Sequence, residues 1–327
     1  MQSLSSAVFC GRPVGETSRN FEPLRETGAE ATPDDLRGAL RNQGYVFLRG
    51  LLPRETVERA REDILSVHAI MGEVDDRFPL SEGRTTDRSN RAGVNVRAAR
   101  QAILRSEALR SVTRSAEVER VISALLEGPV CPWDFLWPRA MGKGSGTGLH
   151  LDAPFLRGPA PGSVISVWTP LGDIDPLQGG LVVLEGSQNC PLYKREYGDL
   201  DADADAGFGW YADRLDGISQ PGCGPWRTTR YEMGDVLFFG LFMLHGALDN
   251  VTDFLRVSVD SRWQRSDAVI DPRWIGPAAY GRHPDRVFLP SVLVDDTLNE
   301  GLRSEFHWIG GDGRPVDGPP ANPSPAI

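Results

Sequence analysis

The chain has 327 residues, of which 40% are hydrophobic, and its formal net charge is −10 at pH 7. This length allows a single domain with a sizeable core, while the acidity argues against a nucleic-acid-binding protein. No stretch approaches the roughly 20 apolar residues that span a bilayer, so we expect no membrane partner. The four widely spaced cysteines match neither a zinc motif nor a disulfide scaffold, and they indicate a reducing, cytoplasmic setting.

The first part of the chain is predicted to be mainly helical. Residues 1–30 show no clear periodicity and form a predicted N-terminal arm. Apolar spacing and start signals then predict helices and one strand, namely a helix over 34–43, a strand over 45–48, a helix over 53–70 and a helical region over 100–126. Residues 72–97 between them are polar and rich in arginine. A loop of this length inside a domain is usually functional or disordered.

The second part of the chain is predicted to be mainly β. Short segments rich in β-branched and aromatic residues, separated by Gly, Pro and Asp, are strand candidates; they cover 130–141, 148–153, 164–169, 180–184, 236–244 and 254–263. Their spacing favours antiparallel strands in two sheets or a barrel.

The predicted domain runs over 31–310. The acidic stretch 199–213 is interpreted as a solvated insertion, with a lid as the alternative. The Gly/Pro-rich residues 311–327 are predicted to be a disordered tail.

His150, Asp152 and His245 form a candidate metal-binding group. Alternate residues of a strand point to the same face, so a strand over 148–153 would present His150 and Asp152 together. His245 follows an apolar strand and precedes a turn-prone segment. Two histidines and one carboxylate are the ligand set that holds non-haem Fe(II) and leaves the opposite positions open.

Arg256 lies eleven residues after His245. If a hairpin turns between Asn250 and Val251, the two side chains face each other across the strand pair, with Cβ atoms about 5 Å apart. Buried arginine is uncommon and usually paired. An arginine in this place could hold one end of a five-carbon diacid whose other end chelates the metal, which describes 2-oxoglutarate.

Two other functions remain open on the residues alone. A single histidine at a strand end is more often a surface or hydrogen-bonded residue than a ligand, so the case rests on the combination. A cupin-like protein could bind a metal without redox turnover, although it would not need Arg256. A zinc hydrolase could use the same ligands, but no HExxH-type arrangement supplies its general base.

Over most of its length the sequence resembles the phytanoyl-CoA dioxygenase-like family of Fe(II)/2-oxoglutarate oxygenases. The resemblance is carried by four segments, which are the strand-helix entry from Gln43 to Leu52, the H-x-D strand followed by Ser166–Leu171, the Gly-rich turn and strand from Gly179 to Gln188, and His245-Gly246 through Asn250 to Arg256.

The resemblance implies a double-stranded β-helix, which is a jelly-roll or cupin-like barrel, with flanking helices. It implies that His150, Asp152 and His245 bind iron, and that Arg256 binds the distal carboxylate of 2-oxoglutarate. Fe(II), 2-oxoglutarate and O₂ are then the cofactors. Trp168 matches a tryptophan that lines the co-substrate pocket, although a plain core position is nearly as good an interpretation.

Phe135 and Arg139, on the preceding strand, are candidates for the border of the same pocket. Two positions depart from the family pattern: Ala247 stands where a hydroxyl is common, and Gln188 replaces a histidine. Asp152 stands where a halogenating relative would carry Gly or Ala, which disfavours halogenation.

The expected reaction is oxidation of a C–H bond of a small molecule, with succinate and CO₂ as co-products. Hydroxylation is the main prediction, while desaturation, cyclisation and epimerisation are alternatives. Phe155, Arg157 and the arginine-rich loop are candidates for substrate contact. A bacterial tailoring enzyme, as in natural product biosynthesis, or a catabolic enzyme is predicted; the sequence leaves the oligomeric state open.

Overall fold

The computed structural model describes residues 4–86, 102–156, 161–202 and 209–275. The longer helices are α1 Pro33–Gln43, α2 Arg54–Ile70, α3 Glu107–Thr113 and α4 Ala116–Leu126. Two shorter ones are α5 Ala153–Leu156 and α6 Pro191–Tyr193, which continues as a π-helical turn over Lys194–Gly198. The first six strands are β1 Val8–Phe9, β2 Arg12–Pro13, β3 Tyr45–Leu48, β4 Val130–Pro132, β5 Trp137–Met141 and β6 Thr147–His150. The remaining six are β7 Val164–Pro170, β8 Leu181–Leu184, β9 Trp226–Arg227, β10 Val236–Gly240, β11 His245–Ala247 and β12 Arg256–Arg265.

Two antiparallel sheets form the centre of the molecule. One has the order β3-β10-β7-β12-β4, with β5 also paired to β12, and the other has the order β6-β11-β8-β9. Their inner faces share one apolar cluster, to which the first sheet contributes Trp168 and Phe239 and the second contributes Leu181 and Val183. The predicted jelly-roll architecture, mainly β with flanking helices, is confirmed.

The outer faces of the two sheets are covered by different parts of the chain. Val57 and Ile64 of α2 share a cluster with outward-facing residues of the six-stranded sheet such as Phe238. The four-stranded sheet is covered by the N-terminal segment, in which Phe9 packs in the same cluster as Leu149 of β6.

Local capping signals set the helix boundaries. Thr32 and Asp35 form a reciprocal capping box at the start of α1. The predicted helical region 100–126 is divided, and its two longer described parts are α3 and α4. The reason is that the side chains of Ser106 and Ser115 each accept a backbone N–H and begin a new helix.

Two predicted strands are each divided in the structure. The segment 236–244 is not one strand, because β10 ends at Gly240 and a turn closed by a Met243 N–H to Gly240 O bond carries the chain to the other sheet. The segment 130–141 is likewise split into β4 and β5. The predicted strand 148–153 ends at His150, so Asp152 lies in the turn before α5 rather than on the strand.

The predicted hairpin that pairs His245 with Arg256 is wrong. β11 pairs with β6 and β8, whereas β12 pairs with β4, β5 and β7, so the two residues lie on different sheets. Asn250, in the connection, donates to the carbonyl oxygens of Met141 and Phe254 and bends the chain across the gap between the sheets. The two side chains can therefore approach each other only across the interior of the barrel.

Some predictions concern residues outside those described. They are the tail 311–327, Arg157, and parts of the arginine-rich loop and of the acidic stretch 199–213.

All four cysteines are free thiols. Among the described helices, none has the length and apolar character needed to cross a membrane.

Candidate metal centre

Three side chains with metal-binding atoms meet between the sheets. β6 and β11 are neighbours, and their register places His245 directly opposite His150. Oxygen Oδ1 of Asp152 lies 3.7 Å from Nε2 of His150 and 3.9 Å from Nε2 of His245. All three residues are buried, and a metal ion about 2 Å from each of these atoms fits between them.

Both histidines are held in the tautomer that leaves Nε2 free. Nδ1 of His150 lies 2.9 Å from the carbonyl oxygen of Gly148, and Nδ1 of His245 lies 2.9 Å from that of Met243. A carbonyl oxygen only accepts, so each Nδ1 carries the hydrogen and each Nε2 carries a lone pair. Burial lowers the pKa of both histidines, and His245 lowers that of His150 further. Neutral imidazole is the form that binds metals.

Asp152 is held as a carboxylate. Burial by itself would raise the pKa of Asp152, but the charge of Arg262, the neighbouring imidazoles of His245 and His150 and a hydrogen bond from Ser166 outweigh it and keep the pKa below its ordinary value. Arg262 Nη2 donates to Oδ2 of Asp152 at 2.9 Å, and the Ser166 hydroxyl donates to the same oxygen. Oδ1, on the other side, faces the two histidines.

Arg256 is a buried cation with no carboxylate at ion-pair distance in the described part of the chain. One of its Nη atoms donates to the Ser258 hydroxyl, the other contacts the Met141 sulfur, and Nε has no partner there. Burial lowers the pKa of Arg256 to about 9, and the charge of Arg139 acts in the same direction. An anion bound at this guanidinium would offset the cost of burying the charge.

Aromatic rings pack beside His245 and near Arg256. The Phe239 ring lies 4.7 Å from that of His245, and the Trp168 ring lies 4.7 Å from that of Tyr231. Tyr231 is close enough to Arg256 to influence its pKa. Trp168 is buried on the inner face of β7, which is compatible with the predicted pocket-lining role; that role stays a prediction.

One protein-family model matches a large part of the chain. The model described as phytanoyl-CoA dioxygenase (PhyH) matches residues 40–258, about two thirds of the chain. The chain belongs to the phytanoyl-CoA dioxygenase family. It is therefore a non-haem iron enzyme of the 2-oxoglutarate-dependent class, and the predicted Fe(II), 2-oxoglutarate and O₂ are the cofactors of that class. No curated protein matches the chain.

Solved structures also match this chain, at low sequence identity. The non-haem α-ketoglutarate-dependent epimerase SnoN from nogalamycin biosynthesis is 19% identical with a TM-score of 0.50, and the match covers 88% of this chain and 96% of that one. The carbocyclase SnoK from the same biosynthesis is 17% identical, with a TM-score of 0.49 and coverage of 90% and 97%. HygX from Streptomyces hygroscopicus, solved with nickel and 2-oxoglutarate bound, is 15% identical, with a TM-score of 0.48 and coverage of 72% and 88%.

The predicted departure at position 247 lies inside this site. Ala247 is two residues beyond His245 on β11, is buried, and pairs with Leu181. It supplies no hydroxyl, whereas on the other sheet the Ser258 hydroxyl accepts a hydrogen bond from Arg256 of the same strand, β12. Gln188, the second departure, is peripheral, since its amide donates to the carbonyl of Arg41 on the helical side.

The pocket candidates Phe135 and Arg139 differ in what they contact. Arg139 Nε donates to Asp260 at 3.0 Å, Arg139 is close enough to influence the pKa of His150, and Asp260 is close enough to influence that of His245. Phe135 packs edge-on against the Trp137 ring, at 5.3 Å. The structure therefore places Arg139 near the candidate metal ligands, whereas a pocket role for Phe135 stays a prediction.

Arg262, Ser166 and Trp210 lie at the site, but their place there was not predicted from the sequence. The signal for Arg262 was present, because β12 alternates polar and mainly apolar residues and its inner row of polar side chains consists of Arg256, Ser258, Asp260, Arg262 and Gln264. Trp210 had no such signal. Its ring lies 5.0 Å from that of His150 and 6.2 Å from that of Phe155, which is itself 5.8 Å from His150.

Proposed function

We propose that this protein oxidises a C–H bond of a small-molecule substrate, with His150, Asp152 and His245 as iron ligands and Arg256 as the anchor for 2-oxoglutarate. Hydroxylation, with succinate and CO₂ as co-products, is the proposed outcome. Desaturation, cyclisation and epimerisation use the same centre and differ in how the substrate is placed.

The observation that carries this proposal is the pairing of two incomplete sites. The histidines and Oδ1 of Asp152 lie close enough together to hold one metal ion. Arg256, which is buried on the other sheet, has no carboxylate at ion-pair distance among the described residues. A short diacid that chelates the metal at one end and meets Arg256 at the other completes both sites at once.

The chain's own residues have three tasks in this scheme. Nδ1–H bonds to Gly148 and Met243 orient the imidazoles before a metal arrives. The buried rings of Trp168 and Tyr231 keep water from the co-substrate. When bound, the iron with 2-oxoglutarate and O₂ supplies the oxidising chemistry, and the barrel supplies orientation.

The substrate is proposed to be a small molecule that approaches the metal beside His150, where Phe155 and Trp210 are only partly buried. A tailoring step in natural product biosynthesis is the proposed setting, by likeness to SnoN, which shares the fold and belongs to nogalamycin biosynthesis. A cytoplasmic location stays a prediction from the four free cysteines.

The test is an anaerobic titration of metal-free protein with Fe(II) and then 2-oxoglutarate, followed by visible absorption. We expect a weak charge-transfer band when the 2-oxo acid chelates the iron. Asp152→Ala should lose iron binding. Arg256→Met should keep iron but need at least about 30-fold more 2-oxoglutarate, because removing one partner of a buried charge pair costs roughly 2–5 kcal/mol.

Gln264→Met is the matched control, since Gln264 shares the strand and inner face of Arg256 but bonds to Trp133 at 2.8 Å. It should behave as the unmodified protein. A protein that binds Fe(II) but never develops the band would contradict the co-substrate assignment and favour a metal-binding barrel without redox turnover. If the band forms, candidate substrates are then screened by measuring the release of succinate.

A further inference from the structure

The two carboxylate oxygens of Asp152 have different environments. Oδ1 faces His150 and His245, at 3.7 and 3.9 Å from their Nε2 atoms. Oδ2 is directed away from them and accepts two hydrogen bonds, from Arg262 Nη2 at 2.9 Å and from the Ser166 hydroxyl. Both donors belong to the six-stranded sheet, whereas the histidines belong to the other sheet.

The two donors are paired with each other across adjacent strands. Ser166 on β7 stands directly opposite Arg262 on β12, and Cβ atoms at such positions are about 5 Å apart. Their side chains reach across the interior from this one point of the sheet. The carboxylate of Asp152, which arrives from the end of β6, is therefore held between the two sheets.

Asp152 is the main partner of Arg262. The guanidinium is buried, and its Nε and Nη1 atoms have no hydrogen-bond partner in the described part of the structure. Asp260 is the next acidic group, at 3.9 Å, and it already accepts from Arg139. A buried cation with two unsatisfied nitrogens is a poor way to stabilise a fold. Its location is better explained by what it does to Asp152.

We propose that Arg262, assisted by Ser166, is a positioning residue that makes Asp152 a one-oxygen metal ligand. With Oδ2 occupied, only Oδ1 is free for the metal, so the protein fills three positions of a six-coordinate centre. Two positions remain for a chelating 2-oxo acid and one for O₂. A carboxylate bound through both oxygens would take a fourth position and leave none for O₂ once the co-substrate is bound. The inference rests on the proposed function, because it takes Asp152 as a ligand.

The test compares Arg262→Met, Arg262→Lys and Ser166→Ala with the control Gln264→Met. The probes are Co(II) and 2-oxoglutarate, added to metal-free protein without O₂, and thermal unfolding reports whether each variant is folded. Gln264 lies two residues from Arg262 on the same strand and inner face, and it donates to backbone carbonyls and accepts from Trp133. A substitution that acts only by disturbing the packing should therefore change metal binding as much at Gln264 as at Arg262.

For Arg262→Met we expect a dissociation constant for Co(II) about 10 to 100 times higher, as for other residues that orient metal ligands. The visible absorption of bound Co(II) should change, because a second carboxylate oxygen would replace another ligand of the metal. Arg262→Lys should recover part of the affinity, since it keeps the charge but not the guanidinium geometry. Ser166→Ala should weaken Co(II) binding in the same direction by a smaller factor, and Gln264→Met should leave it unchanged.

A folded Arg262→Met protein with wild-type Co(II) affinity and spectrum would overturn the positioning role. If that variant does not fold, Ser166→Ala and Arg262→Lys decide, and unchanged metal binding in both overturns it. A different failure points elsewhere: if the unmodified protein binds no Co(II), or its spectrum ignores 2-oxoglutarate, the proposed function fails and the inference falls with it.

Discussion

Arg256 and Arg262 stand on the inner face of β12, six residues apart, and their guanidinium groups have different surroundings. Arg262 meets a carboxylate of this chain at 2.9 Å, whereas Arg256 meets a serine hydroxyl and a methionine sulfur. The two arginines can therefore have different roles. Arg262 pairs with an anion of the protein, and Arg256 remains available for an anionic ligand.

Ser258→Ala tests the orientation of Arg256 at the residue scale. The Ser258 hydroxyl accepts a hydrogen bond from Arg256, and hydrogen bonds to charged groups contribute roughly 1.5–3 kcal/mol. We expect the 2-oxoglutarate concentration for half-saturation to rise about tenfold or more, with unchanged Fe(II) affinity. Ser261→Ala, a buried serine on the opposite face of β12, is the control. Equal 2-oxoglutarate affinity in all three proteins would contradict a role for Ser258.

At the element scale, a short extended segment converts the edge of the four-stranded sheet into a wall of the site. Ala212 O accepts from Leu149 N at 2.9 Å, and Tyr211 N donates to Leu149 O at 2.6 Å, so residues 210–212 continue the sheet beyond β6. Tyr197 donates to the carbonyl of Gly209 at 2.7 Å and holds the start of this segment. Trp210 is thereby fixed beside His150.

Trp210→Ala should open this wall. The ring also lies over Gly148, where a Cβ atom would clash with it at 2.4 Å, so its removal exposes one side of the His150 strand. We expect the iron and 2-oxoglutarate titrations to stay as in the unmodified protein. In contrast, O₂ consumption without substrate should rise several-fold, because water and O₂ reach the centre more easily. Trp210→Phe should largely restore the wild-type rate. If Trp210→Ala instead loses iron binding, Trp210 is needed to hold β6, the strand that carries His150.

The N-terminal hairpin depends on a carboxylate near the metal-binding strand. The two-residue turn between β1 and β2 has Cys10 at φ 49° and Gly11 at φ 76°, the left-handed region that such tight hairpins need. Both N–H groups of the turn donate to the buried Asp249, whose own N–H donates to Val8. The segment predicted as an arm is thereby attached to the barrel.

Asp249→Ala should therefore lower the free energy of unfolding by about 2 kcal/mol, since two buried N–H groups lose a charged acceptor. Chemical denaturation measures this difference. The control is Arg12→Ala in the same hairpin, which removes an ion pair of a largely exposed side chain with Asp213 and should change stability by less than about 1 kcal/mol. Equal effects of the two substitutions would show that the hairpin is held by something other than Asp249.

At the scale of the whole molecule, the site joins the two sheets. The histidines belong to the four-stranded sheet, and Arg256 and Arg262 belong to the six-stranded sheet. A metal with its chelating co-substrate would link groups from both. Ligands of this kind stabilise the folded state by RT ln(1 + [L]/Kd), because the unfolded chain does not assemble the site.

Metal and co-substrate should therefore raise the unfolding temperature together. At a free ligand concentration of 100 times Kd the gain is about 2.7 kcal/mol, which corresponds to roughly 4–8 °C for a domain of this size. Thermal unfolding with Ni(II) plus 2-oxoglutarate, and again after a chelator, measures it. Asp152→Ala should show no increase. An increase that survives the chelator would mean that the stabilisation comes from another site.

The jelly-roll class was implied by the family resemblance. The residues by themselves determined a second half made of antiparallel strands, most of the individual strands, and the residue types of a candidate metal-binding group with an arginine suited to an acidic ligand. These follow from short-range information: alternation, turn residues, and the chemistry of histidine, carboxylate and arginine. His150, Asp152, His245 and Arg256 were recognisable without coordinates. The structure brings His150, Asp152 and His245 together.

The tertiary structure alone decided which strands are neighbours. The apolar run before His245 carries no mark where the chain leaves one sheet for the other, so the predicted hairpin to Arg256 was wrong. Ser166, Trp210 and Arg262 reach the centre from positions 14 to 110 residues away from Asp152. Such contacts come from closing the barrel, a global event in which hydrogen-bond partners are selected by packing and not by neighbours in the chain.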